Sequence, residues 1–142
     1  MSEVTWSDDN WCVACGEDNP RGLHLKFRHE GDEYVCDFTP ERFHQGWTGI
    51  VHGGILATVL DEAMNHMLSH NGEPVATAEL TVRYRRPVQV GEPLQVRARL
   101  VRSRPPLYVA EAEITDSEGQ VVAEGGAKLM RVKAETAGRG EE

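Results

Sequence analysis

The stretch of this 142-residue chain with most chemistry in it is GIVHGGILATVLDEAMNHMLSHNG, Gly49 to Gly72. It sets His52, Gly53 and Gly54 in front of a long apolar run, with Asp61 and Glu62 halfway along. Two glycines in the first turn of a helix cost about 1 kcal/mol each against alanine. What they give is access, because the first N–H groups of a helix have no partner inside it and no Cβ shields them here. Bare N–H donors at a helix start suit an oxyanion or a polarised carbonyl; the plainer reading is a tight corner between loop and helix. Thr58, Asp61 and Asn65 fall on one helical stripe, and Glu62, His66 and His70 on the next. That strip either faces water or is partly covered, and a covered carboxylate needs a task or a partner.

Two other groupings carry reactive types. Cys12-x-x-Cys15-Gly16 is half of a zinc pattern. His24, His29, Cys36 and His44 are candidates for the missing ligands, but no second CxxC completes the set. The segment therefore reads as a tight turn with two buried free thiols and no metal, and the odd count of three cysteines argues against a disulfide framework. His66 and His70 stand four apart but lack the adjoining glutamate of a helical metalloprotease motif. Between Arg83 and Arg104 lie seven arginines and a single acid, Glu92. Such a basic region suits an anionic ligand; outward-facing strand positions would give the same composition. The net charge of -8 argues against nucleic acid as partner. There is no GxSxG, which argues against a nucleophile-elbow hydrolase.

The elements that must position these groups follow from periodicity. Composition, 39% hydrophobic and 27% charged, is that of an ordinary globular chain. One domain over residues 1–142 is expected, ordered from about 12 to 132, with residues 1–11 and the tail from Lys133 loosely attached. No run approaches the ~18 apolar residues of a membrane span, and the acidic start is no secretory signal; a cytoplasmic protein is expected. Leu23, Leu25 and Phe27 alternate as a strand, Gly31-Asp32 turns, and Tyr34–Phe38 returns. A helix runs from Gly53 to His70, stopped by Gly72 and Pro74. Its residues Ile55, Leu56, Val59, Leu60, Ala63, Met64, Met67 and Leu68 cover most of its circumference, so it is buried. Strands are expected at Thr77–Arg86, Leu94–Arg102, Tyr108–Thr115 and Val121–Val132, with Ala78, Leu80, Val82 and Tyr84 inward in the first. One helix and several one-sided strands make an α+β fold.

GIVHGGILATVLDEAM, followed by TAELTVRYRRPVQVGEPL and EITDSEGQVVAEGGAKLM, resembles the hotdog-fold thioesterases of the PaaI-like, 4-hydroxybenzoyl-CoA thioesterase superfamily. CVACGEDNPRGLHLKF resembles an N-terminal segment of one branch. The resemblance implies an antiparallel sheet wrapped around one long helix, and a homodimer, in some members a homotetramer, with active sites at the subunit interface. It implies that Gly53 N–H binds the thioester carbonyl, that Gly54 shapes the corner, and that His52 positions the loop. Asp61 matches the catalytic acid, as nucleophile or as general base, and Thr77 a strand hydroxyl that orients water. Some members place Asn or Gln six residues before the histidine; here that position is Gly46, with Gln45 one step earlier. Trp47, Asn65, Met64 and Met67 would border the acyl site, with Arg83, Arg85 and Arg86 for the phosphates of coenzyme A. Glu62 is expected to face solvent or to join a hydrogen-bond network. The implied activity is acyl-CoA thioester hydrolysis without a cofactor. The alternatives are a hotdog-fold hydratase or dehydratase, and a non-catalytic acyl-CoA-binding module.

Overall fold

The computed structural model describes residues 4–134. In chain order the elements are β1 (Arg28–Glu30), β2 (Glu33–Phe38), a single 3-10 turn (Arg42–His44), α1 (Gly53–Ser69), β3 (Val75–Tyr84), β4 (Leu94–Arg104), β5 (Leu107–Thr115) and β6 (Val121–Arg131). The strands form one sheet in the order β1-β2-β4-β5-β6-β3, and every pairing is antiparallel. The sheet curls around α1, as expected. Leu56, Val59, Leu60, Ala63, Met64 and Leu68 of the helix are buried against Val96, Ala98, Ala110, Ala112, Ile114, Val122, Ala127 and Leu129 of the sheet. Each fully buried large side chain contributes about 1.5–3 kcal/mol of transfer free energy. The small residues facing the helix let it approach closely. At Gly125 a Cβ would lie 3.5 Å from Leu60 and 2.8 Å from the Thr81 carbonyl.

The helix ends as its sequence dictates. Gly72 takes φ 97° and Glu73 N–H returns to Leu68 O at 2.9 Å, so the chain reverses directly into β3. At the far end of the sheet, β3 has β6 as its one neighbour and a ten-residue outer edge.

Two expectations need correction. Leu23–Phe27 is not a sheet strand: Leu23 and Leu25 donate backbone bonds to Val13 and Ala14 of the cysteine loop at 2.9 Å each, and strand geometry begins only at Arg28. The second concerns β3. Its register against β6 steps from Thr77↔Leu129 to Glu79↔Lys128, leaving Ala78 as an extra residue. This bulge reverses the in-out phase before it. Thr77 turns inward while Ala78 is exposed, and Leu80 and Val82 pack on the core. Residues Val4–Trp11 are better anchored than expected, since Trp6 bridges Ala134 and its N–H reaches Lys133 O at 3.4 Å. Residues 135–142 of the expected tail, like residues 1–3, lie outside the described residues. No helix among the described residues is long and apolar enough to cross a membrane.

Candidate active site

The start of α1 is built around His52. Its backbone is extended (φ -63°, ψ 133°) and its Nδ1 accepts the Gly54 N–H at 2.8 Å, capping the helix. The ring sits between two glycines: a Cβ at Gly54 would come 3.0 Å from Nδ1, and one at Gly46 would come 3.3 Å from Cδ2. The cap removes Gly54 N–H from the donors on offer. Gly53 N–H, one residue earlier, finds no acceptor among the described residues and sits at the positive end of the helix dipole. Tyr84 Oη donates to Gly53 O at 2.7 Å and its ring would lie 3.3 Å from a Cβ at Gly53. This tyrosine, expected on the inward face as packing, instead holds the carbonyl of the residue that carries the exposed donor; no spacing rule could have signalled that. The preceding loop is stapled by Gln45, whose Oε1 accepts Gly49 N–H at 3.0 Å. Gly46, Trp47, Val51, His52 and Gly53 line a cleft of about 410 Å³, with Trp47 86% exposed at its lip.

The acid half of the site lies further along the helix. Thr77 Oγ1 donates to Asp61 Oδ1 at 2.6 Å, a contact that exists because the bulge turns Thr77 inward. Both line a cavity of about 630 Å³ together with Trp6–Asp9, Cys12, Cys15, Glu62, Asn65 and His70. Asn65 borders the same cavity, but its amide is occupied: Nδ2 donates to Val75 O at 3.1 Å and Oδ1 accepts Ser69 Oγ at 2.8 Å. It fastens α1 to β3. Met64, expected beside the acyl group, is fully buried in the core. Gly53 and Asp61 are eight residues apart on one helix, which is ~12 Å along its axis.

The arginine region is largely neutralised by acids from neighbouring strands. Arg86 pairs with Glu92 at 3.0 Å and with Asp116 at 2.7 Å, and holds both carboxyls below their ordinary range. Arg85 pairs with Glu124. Arg97 pairs with Glu30 and Glu33, and Arg99 with Glu33 and Glu111. Arg83 has no ion pair among the described residues; it lines a shallow 240 Å³ depression on the outer sheet face with Arg99 and Glu111. The linear count of one acid in this region missed the pairing, because the counter-charges arrive from other strands.

Glu62 does not face solvent. Burial pushes its carboxyl up to about 8, and the Cys12 thiol points at its Oε1 from 3.9 Å. Cys12 is lowered to about 5 by its hydrogen bonds from Cys15 and nearby backbone, while Cys15 is raised by the same contact and by burial. The expected partners of the CxxC turn are elsewhere: His24 Nε2 binds Asn19 O and His44 Nδ1 accepts Glu41 N–H. The residues beside the sulfurs are Glu62, His66 and His70, the second stripe of α1.

Comparison with known proteins agrees with this fold. Over 97 residues the chain is 26% identical to the mouse protein named acyl-coenzyme A thioesterase 13, covering 66% of this chain and 69% of that one. Among solved structures it is similar to the Escherichia coli PaaI protein, with TM-score 0.71 at 21% identity over 78% of this chain and 80% of that one. A Streptococcus mutans protein solved bound to acetyl CoA gives TM-score 0.71 at 17% identity over 76% of this chain and 88% of that one. Both likenesses are of fold. The model of the Thioesterase superfamily matches residues 48–123, just over half of the sequence and the whole of the segment from the glycine corner through Asp61 and Thr77, and so the chain belongs to the thioesterase superfamily.

Proposed function

We propose that the protein hydrolyses acyl-CoA thioesters to a carboxylic acid and coenzyme A, at sites shared between two copies of the chain. The observation that carries this is the Thr77–Asp61 hydrogen bond of 2.6 Å inside a cavity, on the helix whose first residue offers a bare N–H. The name of the mouse relative supplies the substrate class.

Asp61 takes a proton from water, and the oxygen attacks the thioester carbon. The negative charge on the carbonyl oxygen is received by Gly53 N–H, held rigid by the His52 cap and by Tyr84. The C–S bond then breaks and coenzyme A leaves as a thiolate, which recovers a proton. Thr77 keeps one carboxylate oxygen occupied and so aims the other.

One chain cannot do this alone, because the ~12 Å between Gly53 and Asp61 exceeds the reach of a carbonyl group. The open edge of β3 supplies the remedy. Antiparallel pairing of two β3 strands about their midpoint sets Val75–Thr77 against the partner's Val82–Tyr84. Thr77 and Asp61 of one subunit then meet the Tyr84–Gly53 end of the other. Of Arg83, Arg85 and Arg86, Arg83 is the one without an ion pair among the described residues and so left able to meet a phosphate of coenzyme A.

The test is release of thiol from a panel of acyl-CoAs. Asp61→Asn keeps the shape of the side chain and removes the base, so kcat is expected to fall about 10²–10⁴-fold with an unchanged melting temperature. Undiminished turnover by Asp61→Asn would overturn the assignment. Saturable acyl-CoA binding without turnover by the wild type would make the protein a binding module instead.

A further inference from the structure

The loop Cys12–Cys15 and the second stripe of α1 converge on one point. Cys12 Sγ, Cys15 Sγ and a Glu62 oxygen lie within 4.8 Å of one another, and so do Cys15 Sγ and a ring nitrogen each of His66 and His70. Cys15 belongs to both groups, so four further donors, from the same loop and from the helix, surround its sulfur. We propose that this is a metal site, in which one thiophilic divalent cation of the Zn2+ class is bound by Cys12 and Cys15 and completed by donors from Glu62, His66 and His70.

Four features of the structure support it. The donor set, two thiols with imidazole and carboxylate, is that of zinc sites, whose ligand atoms stand ~3.3–3.8 Å apart; closing from 4.8 Å asks for about an ångström of movement in a surface loop. The turn is shaped for sulfur ligation. Ala14 N–H donates to Cys12 Sγ at 3.3 Å, and Gly16 is obligatory, since a Cβ there would lie 2.4 Å from Cys12 N. One imidazole is held from behind as metal-bound imidazoles are: Tyr34 Oη and His66 Nδ1 share a 2.6 Å hydrogen bond. Asp8 stands 3.7 Å from His70 Nε2. Lastly, Asp8, Asp61 and Glu62 crowd this half-buried place with both thiols, and no Lys or Arg ion-pairs with any of the three acids among the described residues. A cation is the missing complement.

The ion would act as a fastener. It would tie the segment that walls the Asp61 cavity, Trp6 to Cys15, onto the helix that carries Asp61.

The full-length chain, purified reduced without chelator or affinity-tag histidines, is expected to carry close to one Zn2+ per chain by elemental analysis. Exchange with Co2+ should give thiolate-to-cobalt charge transfer in the near ultraviolet. Cys15→Ser should abolish both signals, and His70→Ala, a milder change at an exposed position, should weaken Co2+ binding at least tenfold. Zn2+ far below stoichiometry in the wild type, together with no cobalt spectrum on reconstitution, would overturn the proposal. So would Co2+ binding left unchanged by His70→Ala and Glu62→Gln together, which would reduce the site to a bare dithiol.

Discussion

Thr77 Oγ1 can donate only one hydrogen bond, and it donates it to Asp61. A bond from hydroxyl to carboxylate is worth about 1.5–3 kcal/mol. If it aims the base in the transition state, Thr77→Val is expected to lower kcat about 10- to 100-fold with little change in KM. Thr77→Ser should recover most of the loss; equal defects in both variants would mean that the methyl group matters and the hydroxyl does not. The candidate residues differ in how far the linear sequence discloses them. Gly53 and Asp61 are legible because a helix ties spacing to direction, so that a bare N–H and a carboxylate can be placed by counting; the cap that His52 forms on Gly54 is seen only in the fold. Glu62 is harder. The same counting puts it on a stripe with His66 and His70, but only the fold shows that the stripe faces Cys12 and Cys15 and not water.

At the scale of elements, the sheet is held by charge as well as by its core. Arg86 joins two turns: it pairs with Glu92, which also accepts Gln89 N–H at 2.7 Å, and with Asp116, which accepts Glu118 and Gln120 N–H at 2.9 Å each. Both carboxyls titrate below their ordinary range when folded, chiefly through Arg86. A depressed carboxyl adds stability that is complete above its unfolded value, about 4, and is lost as the pH falls through the folded value. The melting temperature should therefore drop on acidification below about pH 4. Arg86→Ala should lower it by several degrees at pH 7 and flatten that acid limb; an identical acid limb in the variant would show that these carboxyls do not set it. Five of the six strands were legible to within a few residues, because alternation is a local property; Leu23–Phe27 alternates too, yet it pairs with the cysteine loop and not with the sheet. The partners of the arginines were not, because β-sheet neighbours come from distant parts of the chain. Neither was the phase of Thr77, since alternation cannot register one inserted residue.

At the scale of the whole molecule, the proposed site has halves from two chains, and this can be tested without seeing the dimer. Asp61→Asn lacks the base; Gly53→Val covers the N–H donor. Each alone should be nearly inactive. Mixed after reversible dissociation, half of the dimers are hybrids, and each hybrid holds one intact site, so about one quarter of wild-type activity should return. A mixture as dead as its components would place both groups of one site in the same chain. The mass in solution should be at least that of a dimer, since a strict monomer leaves every site incomplete. The wrapped sheet and its helix could be anticipated as a fold; the pairing of chains rests on the open edge of β3 and on the length of α1.

The irregularity at Ala78 has one more implication. The direction in which Thr77 points is encoded by how many residues lie between it and the regular ladder, and hardly at all by which residues they are. Exchanges among small side chains at position 78 would leave the hydroxyl where it is. A gain or loss of one codon there would swing it to the far side of the sheet, so this short tract tolerates drift in letter but not in length.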